Sequence, residues 1–167
     1  MTIRTSAGIL LYRLRSGRLE VLLGHPGGPF FGRKDLGSWS IPKGMRGPED
    51  EGLEATARRE FQEETGHPAP AGPLLDLGFV RQKGGKTVYA WAAEGDLDPA
   101  RATSNMIEIP WPPFTGRVKT FPEIDRVAWF DPEEARQRIK EAQIPLVERL
   151  ETALGLAGRL GVIEGTQ

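Results

Sequence analysis

The stretch Arg59-Glu60-Phe61-Gln62-Glu63-Glu64-Thr65-Gly66 constrains the fold of this chain more than any other. Proline and acids at its start, no internal proline and the stop Gly66-His67-Pro68 predict a helix from Pro48 to Thr65. On that helix Glu60, Glu63 and Glu64 stand at i, i+3 and i+4, so three carboxylates crowd one face. Leu53, Ala57 and Phe61 form an apolar stripe that runs straight into them. Like charges at this spacing repel by about 0.2–0.5 kcal/mol per pair in an isolated helix. A hard divalent cation, magnesium or manganese, offsets that repulsion because it takes oxygen ligands from carboxylates, phosphates and water. Two neighbouring features strengthen this reading. Ile41-Pro42-Lys43-Gly44 ends a strand in a glycine turn, bringing a lysine and free carbonyls close to the acids. Glu49-Asp50-Glu51 opens the helix, with Arg59 two turns from Glu51 and within reach to tie helix and loop.

The segments around the helix read as a mixed set. Thr5–Leu14 and Leu19–Gly24 predict a hairpin turned at Ser16-Gly17, and a loop rich in glycine and proline spans His25–Ser38. Trp39-Ser40-Ile41 predicts a short strand stopped by Pro42. Leu74–Arg81 and Thr87–Ala93 predict a second hairpin, Asn105–Ile109 a short strand, and Arg126–Phe130 a last one. The prolines of 110–116 exclude a regular ladder there. Asp131-Pro132 caps a helix running through about Lys140, and Pro145 begins another that reaches about Ala157. Strands and helices without regular alternation imply an α/β domain, a mixed sheet flanked by helices, over residues 1–157. Residues 158–167 read as a loosely ordered tail.

Composition narrows the chemistry. There is no cysteine and only His25 and His67 as imidazoles, so any metal here is expected to be a hard cation on oxygen ligands. A formal charge of −1 gives no electrostatic reason to expect a nucleic-acid polymer as partner. The sequence lacks a signal peptide pattern and any apolar run long enough for a bilayer, so the expectation is a cytoplasmic protein, monomer or homodimer, that contacts no membrane.

The segment from Gly44 to Gly66 resembles the Nudix box, with Gly44, Glu51, Arg59, Glu60, Phe61, Glu63, Glu64 and Gly66 at its specified positions. It departs twice: six residues rather than five separate Gly44 from Glu51, and His67 replaces the final apolar residue. Ser38–Gly44, and Pro122-Glu123 followed by Trp129, resemble diadenosine tetraphosphate hydrolases of this superfamily. The whole chain looks most like its bacterial predicted nucleoside triphosphate pyrophosphohydrolases. The resemblance implies a sheet sandwiched between helices and magnesium-dependent hydrolysis of a phosphoanhydride. It further implies that Glu60 and Glu64 are the main metal ligands, that Glu63 adds a ligand or positions water, and that the Gly44 carbonyl completes the site. Arg59 belongs to the same catalytic constellation, and Lys43 faces the charge developing on phosphate. Glu123 is the first candidate for the general base and Glu63 the second.

Substrate contacts are less local. Phe30, Phe31, Trp91, Trp111 and Phe114 are the aromatic candidates for stacking, and Arg33, Lys34 and Arg81 the candidates for further phosphates. The expectation falls on Phe31, Arg33, Lys34 and Trp111. Nucleoside triphosphates and dinucleoside polyphosphates lead the substrate classes, followed by nucleotide sugars and ADP-ribose. A nucleotide-binding regulator without turnover, or a scaffold with a merely solvated acidic helix, stands as the alternative.

Overall fold

A computed structural model describes residues 4–156, so the tail expected at 158–167 lies outside the described residues. Strand β1 (Arg4–Arg15) is central to the sheet and reads as a nearly unbroken apolar run because both of its faces are covered. It pairs antiparallel with β2 (Arg18–Pro26) and β3 (Lys43–Met45), and parallel with β5 (Lys86–Glu94). The antiparallel strand β4 (Leu75–Gln82) flanks β5, and β8 (Ile124–Phe130) flanks β2, giving the order β4-β5-β1-β2-β8 with β3 on β1. A separate two-stranded ribbon, β6 (Met106–Pro110) with β7 (Val118–Pro122), stands off this sheet.

Helices cover both faces. Helix α1 (Leu53–Thr65) lays Ala57 and Phe61 on Ala7, Ile9, Leu11 and Leu22. On the other face α2 (Pro132–Arg138) and α3 (Ile144–Ala153) pack Ala135, Leu146, Val147 and Leu150 against Leu10, Leu23, Val88 and Ala90. Consecutive residues of β1 and β2 thus feed opposite cores, as the twofold alternation of strand side chains requires. The expected sheet between helices is what the chain forms.

Three expectations need correction. Helix α1 begins at Leu53 rather than Pro48, because Gly52 takes φ 130°, outside any helical conformation, and leaves Glu49-Asp50-Glu51 in the preceding loop. Trp39-Ser40-Ile41 makes only isolated bridges, to Ile139 and Gly24, and the strand lies instead at Lys43–Met45, where a glycine turn was expected. Strand β7 was not anticipated at all; its residues are mostly exposed and carry little apolar alternation. The remaining boundaries move by a few residues: α2 stops two residues short of Lys140, and α3 ends at Ala153 as Gly155 enters the left-handed region.

Phe61 is fully buried in the middle of the α1 face. Phe61→Ala is expected to lower unfolding free energy by about 3–5 kcal/mol, read from the midpoint of urea denaturation with little change in slope.

Candidate active site

The acidic face of α1 meets the sheet at β3. Gly44 pairs with Ala7 of β1, and a Cβ built on Gly44 would lie 2.0 Å from the Glu60 carboxyl carbon. The absent side chain therefore leaves the space that the Glu60 carboxylate fills. Glu64, one turn further along, accepts a hydrogen bond from the Lys43 backbone N–H at 3.2 Å. Glu60 is 8% exposed and Glu64 only 3%, so two of the three acids on this face are buried, while Glu63 stays outside. Gly66 closes the helix in the left-handed conformation at φ 77°, its N–H bonded to the Gln62 carbonyl.

Arg59 organises the rest. Its Nε and Nη2 donate to the two oxygens of Asp50 at 3.0 Å each, and Nη2 also donates to the Met45 carbonyl at 3.0 Å. Its Nη1 donates to Glu60 at 2.9 Å and to Glu63 at 3.0 Å. The acid that ties loop to helix is thus Asp50 and not Glu51. Because α1 starts late, Asp50 rather than Glu51 turns inward, and it also accepts from the Gly47 N–H and the Thr56 hydroxyl. Arg59, helped by those two donors, holds the Asp50 carboxyl well below the usual carboxylate range. Asp50 in turn raises the proton affinity of Arg59.

Burial, then repulsion from Glu123 and Glu60, pushes the Glu64 carboxyl up to about 9. Burial also raises Glu60, against the pull of Arg59, and lowers the Lys43 ammonium against the attraction of Glu64. As the side chains stand, no three His, Asp or Glu among the described residues surround a common point, and Glu63 is turned to Arg59. Glu123, between β7 and β8, joins the same centre. Asn105 Nδ2 donates to its carboxylate at 3.0 Å, while the Asn105 N–H donates to the Glu63 carbonyl at 2.9 Å. Asn105 therefore couples the end of α1 to Glu123, a role that nothing in its sequence context signals.

Two clefts open on this centre. One, of about 260 Å³, is lined by Lys43, Gly44, Glu60, Glu63 and Glu123, with Arg4 and Lys86 at its rim. The other, of about 230 Å³, runs from Lys43, Glu64 and Glu123 to Phe30, Phe31, Ile107 and Ile109, with Lys140 also on its wall. Phe31 thus reaches a cleft wall. Trp111 does not; it packs edge-on against Phe30 at 5.5 Å. Arg33 and Lys34 line neither cleft. The Lys34 ammonium lies over the Phe31 ring at 5.5 Å, and its carbonyl bonds the buried His25 Nε2 at 2.6 Å. The other His25 nitrogen meets Asp125 at 2.9 Å, which pins the aromatic loop to β8. Lys86, Lys140, Ile107 and Ile109 were not foreseen, since each is brought to the site only by tertiary packing.

The family model described as NUDIX domain matches residues 2–150, and the chain belongs to that family. No curated protein matches it. The fold is similar to the NUDIX domain of Shewanella oneidensis NrtR complexed with ADP ribose, at TM-score 0.65 and 18% identity over 92% of this chain and 90% of that one. It is similar also to a Caenorhabditis elegans Ap4A hydrolase, at TM-score 0.61 and 21% identity over 92% and 98%. A mutT/nudix family protein from Listeria innocua follows at 0.60 and 17% over 93% and 96%. No helix among the described residues is long and apolar enough to cross a membrane.

Substituting Asp50→Asn is expected to lower the thermal midpoint at pH 7 by about 5 °C, and Glu51→Gln by less than about 1 °C. The folded Asp50 carboxyl titrates below its unfolded value of about 3.9, so its stabilisation is complete above that value and disappears as pH falls through the folded one. Melting curves of parent and Asp50→Asn should therefore converge as the pH drops below about 4. Equal sensitivity of the two acids at pH 7 would contradict the pairing.

Proposed function

We propose that the protein is a cytoplasmic hydrolase that cuts a phosphoanhydride in a nucleoside diphosphate linked to another group, nucleoside triphosphates and dinucleoside polyphosphates first among them. Its cofactor is magnesium, with manganese as a substitute. The observation that carries this reading is the burial of Glu60 against the bare backbone of Gly44, with Glu64 buried at the neighbouring Lys43 N–H. Two carboxylates in such surroundings demand a proton or a cation, and their hard oxygens suit a hard divalent ion. The residues present fit such an ion: Glu60, Glu64 and the Gly44 carbonyl would hold it, with Glu63 as a further ligand once released from Arg59.

A bound divalent cation neutralises phosphate oxygens and lowers the pKa of an attached water. The protein supplies the rest. Lys43 faces the phosphates from β3, where desolvation strengthens its field. Glu123, fixed by Asn105, accepts the proton of the attacking water, with Glu63 as the second candidate. The water oxygen bonds to phosphorus, the bridging phosphorus–oxygen bond breaks, and the leaving phosphate departs while one proton passes to the base. Phe30, Phe31, Ile107 and Ile109 offer the apolar wall on which a nucleobase lies.

Nucleotide sugars and ADP-ribose form the next tier, the latter motivated by the ligand of the NrtR domain. A panel of these classes, assayed with magnesium or manganese in labelled water with product identification, tests substrate and attacked phosphorus together. Glu64→Gln is expected to lower turnover by more than about tenfold at saturating magnesium, and retention within tenfold sinks the metal mechanism. Glu123→Gln should cost about a hundredfold in rate with metal affinity preserved, whereas an unchanged rate removes it as base. For Gly44→Ala, displacement of the Glu60 carboxylate should raise the magnesium concentration needed for half activity, with the melting temperature little changed because that carboxylate ends a flexible side chain. A regulator without turnover would bind one of these ligands and hydrolyse none.

A further inference from the structure

Gln143 sits in the short 3-10 turn Glu141–Gln143 between α2 and α3, fully buried and lining neither cleft. Its Nε2 donates to Ser40 Oγ and to Gln82 Oε1 at 2.9 Å each, and its Oε1 accepts the Ile41 N–H at 3.0 Å. One side chain thus joins the approach to β3, the end of β4 and the start of α3. A buried amide is costly unless its donors and acceptor are met, and a glutamine offers the same N–H and C=O as a peptide group.

The neighbouring backbone shows what this substitute peptide does. Trp39 bonds through its N–H to the Arg138 carbonyl and through its carbonyl to the Lys140 N–H. Ser40 exchanges both of its bonds with Gly24 of β2, and the Pro42 carbonyl accepts from Ile9 of β1 at 3.1 Å. Ile41, between them, is met by side chains: Gln143 takes its N–H, and the Ser40 hydroxyl donates to its carbonyl at 2.7 Å. Gln143 therefore stands where a neighbouring strand would supply a peptide, and Trp39–Ile41 is held in place with isolated bridges rather than a ladder. The same segment presses onto β1, where a Cβ built on Gly8 would fall 2.6 Å from the Lys43 Cβ and 2.9 Å from the Ile41 Cδ1. Pro42, with φ fixed by its ring, leaves little slack between Ile41 and Lys43. The Lys43 N–H then reaches Glu64 at 3.2 Å, and its residue lines both clefts.

We propose that Gln143 is a positioning residue: by holding the Ile41 N–H it sets where Lys43 and the Gly44 backbone stand relative to Glu64 and Glu60. The inference rests on the hydrolase reading above and adds to it a residue outside the clefts. Its network has an inner half, Ile41 and Ser40, that leads to the site, and an outer half, Gln82, that lines neither cleft.

Two variants of the full chain separate these halves. Gln143→Met keeps length and bulk but loses the amide, whereas Gln82→Met removes the outer partner alone. With adenosine triphosphate in saturating magnesium, below the melting onset of each variant, Gln143→Met is expected to lower kcat about tenfold with KM within about twofold, because Lys43 is displaced from the charge developing on phosphate. Gln82→Met should lower the melting midpoint but leave kcat within about twofold. Equal kcat losses in the two variants, or an unchanged kcat in Gln143→Met, overturn the proposal. Amide proton–nitrogen spectra of the metal-free chain supply a readout without turnover. The Lys43 and Gly44 resonances should shift in Gln143→Met and stay in Gln82→Met; resonances unmoved in Gln143→Met overturn the placement even if kcat falls. Should the parent not turn over adenosine triphosphate, the hydrolase reading fails for that substrate while the spectra still decide whether Gln143 places Lys43. If Gln143→Met does not fold, Gln143→Asn, which draws the amide back by one methylene, replaces it in both measurements with the same expected and overturning results.

Discussion

The guanidinium of Arg59 spends all five of its N–H donors within one short segment of chain: two on Asp50, one each on Glu60 and Glu63, and one on the Met45 carbonyl. A planar fork of this kind sets angles as well as distances, which a lysine ammonium does not. It holds the 45–50 loop against α1, and through Met45 it fixes the end of β3. Remove it and Glu60 and Glu63, on one helical face, lose their shared counter-charge. The position of Gly44 relative to Glu60 would then rest on the three β3–β1 residue pairs and the Lys43 N–H to Glu64 hydrogen bond.

Arg59 compensates the acids unequally, and the inequality shapes the site. Glu60 and Glu63 each receive one of its hydrogen bonds, while Glu64 receives none and faces only the Lys43 N–H. Burial, with repulsion from Glu123 and Glu60 that Lys43 only partly offsets, explains why the Glu64 carboxyl is pushed up. A carboxylate buried this way favours its protonated form, while the other acids of the helix are already paired. Glu123 adds to the same imbalance from a distant part of the chain, held in place by an asparagine whose backbone grips the end of α1.

How much of this was legible in sequence follows from how local each cause is. The helix face, its apolar stripe and its glycine stop depend on residues a turn apart, and their pattern reads directly. The start of α1 did not, because whether Gly52 continues a helix or leaves it depends on where Asp50 finds its donors. Spacing pointed to Glu51; a one-residue difference in loop length brings Asp50 to Arg59 instead. Strand β3 was equally hidden, since three residues around a glycine carry no alternation and become a strand only by pairing with β1. Lys86 and Lys140 belong to segments 54 residues apart that meet only across the folded sheet, and no pattern within either one marks it.

The ribbon β6–β7 shows how the two ends of the cleft are joined mechanically. Among the described residues it pairs with no other strand, so its position depends on contacts at its base and on the aromatic packing of Phe30 with Trp111. Ile107 and Ile109 project from it into the cleft, and Glu123 follows directly on its last residue. The backbone there is gripped twice, by Gly27 N–H to the Glu123 carbonyl at 2.8 Å and by Glu123 N–H to the Asn105 carbonyl at 2.9 Å. A Cβ on Gly27 would fall 1.9 Å from the Pro122 carbonyl oxygen, so only glycine lets the aromatic loop approach this closely. The apolar wall and Glu123 are thus held by the same few backbone hydrogen bonds.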